Sequence, residues 1–107
     1  YEKNSFSACD NSMIMDKITS LNKTMAVLIG TEAHVCVLQT CLDLIKNDIQ
    51  PILVVDCIAS RYKYEKEIAI QRMFQNGVIL TTSESLLFEL CASSEHQNFK
   101  DILQLIK

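Results

Sequence analysis

The chain has 107 residues, of which 49% are apolar, with two glycines, one proline and a net charge of −3. That composition excludes intrinsic disorder, collagen-like repeats and linker-rich arrays, and Lys and Arg scattered among Asp and Glu offer no basic face for nucleic acid. One small domain is the ceiling, with a core that leaves little stability to spare.

In chain order, the first predicted element is an amphipathic helix from Asp10 to Leu21, with Ile14, Ile18 and Leu21 on one face. Met25 to Ile29 follows as a continuous apolar run, the pattern of a strand buried on both faces of a parallel sheet. Ala33 to Lys46 then reads as a helix carrying Val35, Leu38, Leu42 and Ile45 at helical spacing. Its further apolar residues, Val37, Cys41 and Leu44, predict cover on more than one side. Pro51 opens a second buried strand, Ile52 to Val55, where a proline at the first position removes no essential ladder bond, and Asp56 closes it. Ser60 is the expected N-cap of a helix that turns Ile70, Met73 and Phe74 toward the sheet and stops at Asn76-Gly77. Val78 to Leu80 is the third strand. Thr81-x-x-Glu84 has capping-box spacing before a short helix through Cys91. Ser94-x-x-Gln97 repeats the device before a final helix bearing Phe99, Ile102, Leu103 and Ile106.

Short apolar strands alternating with helices predict an α/β fold of parallel units, whose strand ends at Gly30, Asp56 and Thr81 share one edge of the sheet, where open α/β sheets bind ligands. Cys36 stands where the first strand gives way to its helix. In a helix's first turn, unpaired backbone N–H groups and the positive end of the dipole favour thiolate, the form that attacks carbonyl carbon. A buried core cysteine fits the same position equally well. Cys9, Cys36, Cys41, Cys57 and Cys91 are odd in number and set mostly in apolar elements, which predicts a reducing, cytoplasmic setting rather than a secreted disulfide framework. The only histidines are His34 and His96, and no Cys or His pair has zinc spacing. The apolar runs are too short to span a bilayer, so neither a metal nor a membrane is expected.

The stretch Gly30-Thr31-Glu32-Ala33-His34-Val35-Cys36-Val37-Leu38-Gln39-Thr40, with Leu42-Asp43-Leu44, Val54-Val55-Asp56 and Ser60-Arg61, resembles the isochorismatase-like cysteine hydrolases, particularly the eukaryotic isochorismatase domain-containing proteins. Thr81-Thr82-Ser83-Glu84 and the segment from His96 to Lys107 continue the resemblance, and Lys3-Asn4-Ser5-Phe6-Ser7 is similar to the Lys-x-x-Phe-Ser stretch that carries the family's catalytic lysine. It implies a three-layer αβα, Rossmann-like parallel sheet, present here as an incomplete half with about three main strands. It further implies Cys36 as nucleophile, Lys3 as catalytic lysine, the backbone N–H groups of Glu32 and Cys36 as oxyanion hole, and a cis peptide at Thr31-Glu32. The family's general-base aspartate lies well before the lysine, and this sequence starts two residues before Lys3. Asp10, Asp16, Asp43, Asp48, Asp56 and Asp101 all match other parts of the family. The expectation is therefore one isochorismatase-like domain over 1–107 without its N-terminal portion.

The function so implied is hydrolysis of a C–N or related bond in a small molecule through a thioester, with no cofactor. The nicotinamidases of this fold bind metal through residues in the N-terminal half, which have no counterpart here. An exposed inner strand, with unpaired backbone and apolar faces, predicts a homo-oligomer or a partner. A non-catalytic binding module is the alternative. A redox-responsive thiol protein is a third reading, although Cys36 and Cys41 fall on different helix faces. His34 is two residues from Cys36 and points away from it on a helix, which makes it a surface or supporting residue rather than half of a Cys/His dyad. Glu32 either lines the pocket or faces solvent with only its backbone used. Asp56 reads as structural, and Cys41, Cys57 and Cys91 as small core residues.

Overall fold

The computed structural model describes residues 6–22 and 24–91. Lys3 and the helix expected after Ser94 lie outside them. A 3₁₀ turn, Ala8–Asp10, leads into α1 (Ser12–Ser20), β1 (Met25–Thr31) and a π-helical turn (Ala33–Val37) that runs on into α2 (Leu38–Lys46). Then come β2 (Gln50–Ala59), α3 (Lys63–Gln75), β3 (Ile79–Thr81) and α4 (Ser83–Cys91). The three strands are parallel in the order β1-β2-β3. The architecture is an open α/β sheet.

Local chemistry explains where several elements depart from their predicted bounds. The Asn11 side chain accepts from the Ile14 N–H at 3.1 Å, so α1 begins at Ser12 rather than Asp10. Leu21 falls outside the helix and is largely exposed. β2 does not end at Asp56. Leu28 pairs with Leu53 but Gly30 pairs with Ile58, so extra residues of β2 bulge out around Asp56 before the strand resumes along β1. Pro51 is buried on the part of β2 that β3 does not yet pair, where its missing N–H is harmless.

The core is built between the sheet and the helices that return its chain. α2 buries Leu38, Cys41 and Leu44, and α3 buries Ala69 and Met73. Of these, Leu38, Cys41, Ala69 and Met73 meet Leu53 and Ile58 of β2, Val78, and Ala33 and Val37 of the π-turn in one apolar cluster. The predicted apolar face of α3 is corrected by one position: Met73 is fully buried and Ile70 packs on the core, whereas Phe74 is 65% exposed. One residue is 100° of helix, enough to turn Phe74 off the stripe led by Ala69 and Met73. Met73→Ala is accordingly expected to cost about 2–5 kcal/mol in urea unfolding, and Phe74→Ala about 0.5 kcal/mol or less. Cys57 is also exposed rather than core, because it sits on the β2 bulge.

β1 is an edge strand, and its burial alternates instead of being complete on both faces. Met25, Val27 and Ile29 project from one face at 53%, 52% and 65% exposure. No charge or proline within Met25–Ile29 protects that edge from pairing. Among the described residues no helix is long and apolar enough to cross a membrane.

Candidate functional site

Gly30 leaves β1 with φ of +124°, a conformation that side-chain-bearing residues rarely adopt, and the next peptide, Thr31-Glu32, is cis. The chain then enters not a regular helix but the π-helical turn, in which the Glu32 carbonyl accepts from the N–H groups of both Val35 and Val37 at 3.2 Å. Cys36 therefore sits inside a π-turn rather than in the first turn of an α-helix. Its side chain is half-buried at the junction of two concavities.

The first is an open cleft of about 510 Å³, in which Cys36 is joined by Phe6, Glu32, Arg61, Tyr62 and Tyr64. Tyr62 and Tyr64 stack with their centroids 5.7 Å apart. The second is a groove of about 300 Å³ running beneath the open edge of β1, lined by Val27, Ile29, Thr31, Cys36 and Thr40 among others. The N-terminal turn is pinned beside both. Ala8 donates its N–H to Thr40 Oγ1 at 2.9 Å, the Cys9 thiol donates to the Thr40 carbonyl at 3.8 Å, and buried Ser7 accepts from the Cys9 N–H. Phe6 reaches the cleft through these contacts.

The other thiols are differently placed. Cys41 is fully buried, and burial pushes its thiol up to about 12. Burial likewise raises Cys9, with Asp43 and Asp10 adding to it against a lowering hydrogen bond from Ser7. Cys91 is buried, and Cys57 lines neither concavity. No disulfide joins any of the five.

His34 turns both ring nitrogens toward other partners: Nδ1 lies 2.8 Å from Ser60 Oγ and 3.7 Å from Glu32 Oε2, and Nε2 lies 3.4 Å from Glu65 Oε2. It is not set as the base of a Cys/His dyad. Ser60, expected to cap α3, instead spends its hydroxyl on this imidazole, and α3 starts at Lys63 after Tyr62 with no side-chain cap. The residues that sequence reasoning overlooked here are Glu65, Tyr62 and Tyr64. Their one visible signal is the interleaving of aromatic and charged residues over Arg61-Tyr62-Lys63-Tyr64-Glu65. Among the described residues no group of three or more His, Cys, Asp or Glu side chains is arranged to hold a metal ion.

Asp56 stands apart from the cleft and ties the β2 bulge to the start of α4. Its carboxylate accepts from the Ser83 N–H at 2.8 Å and from the Ser83 hydroxyl. The capping role predicted for Thr81 falls one residue later, on Thr82, whose Oγ1 accepts from the Ser85 N–H at 3.2 Å. The Ser83 hydroxyl, then the Ser83 N–H, holds the Asp56 carboxyl below its ordinary value of 3.8, and Lys66 adds to this. A carboxyl depressed in the folded state contributes stability above the unfolded value and loses it as pH falls through the folded value. Asp56→Asn should lower the thermal midpoint by a few degrees at pH 7, and melts repeated below the folded-state value should bring the two proteins together.

Comparison with known proteins places this geometry among relatives. The isochorismatase domain family matches residues 1–85. The chain is 44% identical over 81 residues to isochorismatase domain-containing protein 1 of Danio rerio, a match covering 76% of this chain and 29% of that one. It is 34% identical over 108 residues to isochorismatase family protein 1B of Dictyostelium discoideum, covering 100% of this chain and 52% of that one. Among solved structures it is similar to one described as the MAR1 ribonuclease of Caenorhabditis elegans, with 38% identity, a TM-score of 0.87 and coverage of 97% of this chain and 53% of the other. The chain thus spans about half or less of the length of these relatives.

Proposed function

The chain belongs to the isochorismatase domain family, and from that membership we propose that it is part of a cysteine hydrolase in which Cys36 is the nucleophile. The observation that carries the reading is the position of Cys36, half-buried where the cleft bounded by Glu32, Arg61 and Tyr62 meets the groove under β1. A substrate carbonyl entering the cleft meets the thiol, and a catalytic group set against the β1 edge would meet it from the groove.

In this mechanism a base takes the Cys36 proton, the sulfur attacks the carbonyl carbon, and the amine or related leaving group departs protonated from the tetrahedral intermediate. Water then cleaves the thioester and regenerates the thiol. The backbone N–H groups of Glu32 and Cys36 are assigned to the oxygen that gains charge, and Lys3 to the charge balance that keeps thiolate available. Phe6, from the same Lys-x-x-Phe-Ser stretch as Lys3, lines the cleft, which supports that assignment. The aspartate base is assigned to an N-terminal portion of the same domain that covers β1. The greater length of the relatives and the unprotected edge of β1 support it. The substrate is a small molecule and the chemistry needs no cofactor.

The test is to trap the acyl-enzyme. The full-length protein, incubated with a panel of amides and imides and quenched in acid, should carry a substrate-derived mass on the peptide containing Cys36. A panel that is turned over with no adduct ever found on Cys36 would remove the nucleophile from the proposal. Single-stranded RNA belongs in the panel, because the C. elegans neighbour is described as a ribonuclease. No cleavage of RNA is expected, since among the described residues of this cleft the carboxylates Glu32 and Glu65 outnumber the cation Arg61.

A second reading is favoured by the exposed Met25, Val27 and Ile29, namely a module that associates through β1 without catalysis. It predicts that association survives Cys36→Ala and that no substrate in the panel is turned over.

A further inference from the structure

Two walls of the cleft come from different parts of the fold. One is the π-turn that carries Cys36, and the other is the connection from β2 into α3 that carries Arg61, Tyr62 and Tyr64. His34 is the side chain that spans them. It stands two residues before Cys36, and it reaches Ser60 at the near end of the opposite wall and Glu65 at its far end. With 21% of its side chain exposed, the imidazole is too enclosed to swing away without abandoning both contacts.

The hydrogen-bond chemistry makes the tether directional. With its proton on Nε2, the neutral ring turns an N–H toward the Glu65 carboxylate, which only accepts, across 3.4 Å. Nδ1 is then the lone pair that accepts from the Ser60 hydroxyl at 2.8 Å. If the ring gains a second proton, Nδ1 becomes a donor, and the Ser60 oxygen, or the Glu32 carboxylate at 3.7 Å, is placed to accept it. Both protonation states therefore keep the tether. Among the described residues, the charged groups facing the ring are Glu32 from its own turn and Glu65 from the facing wall, and Arg61 lines the same cleft.

From this geometry we infer that His34 is a positioning residue whose tether to Ser60 and Glu65 sets the aperture of the cleft over Cys36, and so the size of substrate admitted. His34 also lines the cleft, and the role inferred for it runs through the wall it holds. Its importance for catalysis rests on Cys36 being the nucleophile, but the aperture can be measured on the thiol alone. Cutting the tether lets the Arg61-to-Tyr64 wall relax outward, because α3 has no side-chain cap of its own to hold its first turn.

The experiment compares labelling of Cys36 by N-ethylmaleimide and by a fluorescein maleimide in the full-length protein, with peptide mass spectrometry reading each site. The warhead is the same and only the bulk differs. Exposed Cys57 supplies the internal reference. In the wild type Cys36 should discriminate against the bulky reagent relative to Cys57. In His34→Ala that discrimination should fall about tenfold, in line with couplings measured for residues of one hydrogen-bond network, and Cys57 should be unmoved. Ser60→Ala and Glu65→Met each remove one end of the tether, since neither alanine nor methionine offers the imidazole an oxygen, and each should give part of the effect even if His34→Ala fails to fold. Unchanged discrimination at Cys36 in all the folded variants, or an equal shift at Cys57, would overturn the inference. An opened aperture in a protein whose turnover survives Cys36→Ala would leave the tether standing and sink the nucleophile instead.

Discussion

Cys36→Ala in the full-length protein is expected to lower kcat by at least about 10⁴-fold, the scale at which loss of a nucleophile disables covalent catalysis. Folding should survive it. Cys36 is half-buried at the meeting of two concavities, so trimming its sulfur leaves a notch open to solvent rather than a sealed cavity. The thermal midpoint should move by only a degree or two, within the range of a small change at a part-exposed site. Cys57→Ala is the matched control, since that thiol is exposed on the β2 bulge and lines neither concavity, and its turnover should equal the wild type's. Steady-state rates on any substrate that gives a Cys36 adduct decide the matter. Turnover by Cys36→Ala within tenfold of wild type would mean that the chemistry belongs elsewhere.

Val27→Lys should act in opposite directions in two forms of the protein. Within the 107-residue chain Val27 lies 52% exposed on an edge strand with no charge to blunt it. A lysine there should reduce self-association without loss of stability, because inward or edge charges disfavour strand-to-strand pairing. In the full-length protein, where we propose that the N-terminal portion of the domain covers β1, the same lysine becomes a buried charge without a partner. The expected cost is about 3 kcal/mol or more. Sedimentation velocity on the 107-residue chain and urea unfolding of the full-length protein read the two arms. Equal stability of wild type and variant at full length would show that nothing covers that face, and the associating-module reading would gain accordingly.

Much of the architecture was legible in the residues. Apolar runs of strand length alternating with helical periodicity are enough to predict parallel β/α units, and the three strands appear close to where those runs lie. The thiol was legible for a local reason too, since a strand ending in glycine just before Cys36 marks the carboxyl edge of such a sheet. Errors gathered wherever a side chain found a distant partner. Ser60 left its helix cap for His34, 26 residues away in sequence, and Asp56 joined Ser83 across 27. Nothing in local propensity favours those pairings over nearer ones. Met73 and Phe74 are adjacent and equally apolar in sequence, and only the seat of α3 on the core selects Met73 over Phe74.

What the sequence determined by itself is the class of fold, the place of Cys36 at a strand-to-helix junction and the resemblance in wording around it. The first two rest on periodicity and spacing, which are local, and the third on the identity of residues in a few short stretches. The tertiary structure alone decided that the junction is a π-turn, that β1 stands at an open edge, and that His34 bridges the walls of the cleft. Each of those depends on which segments pack together, and burial and hydrogen bonding between residues far apart in the chain are settled only when the whole core forms.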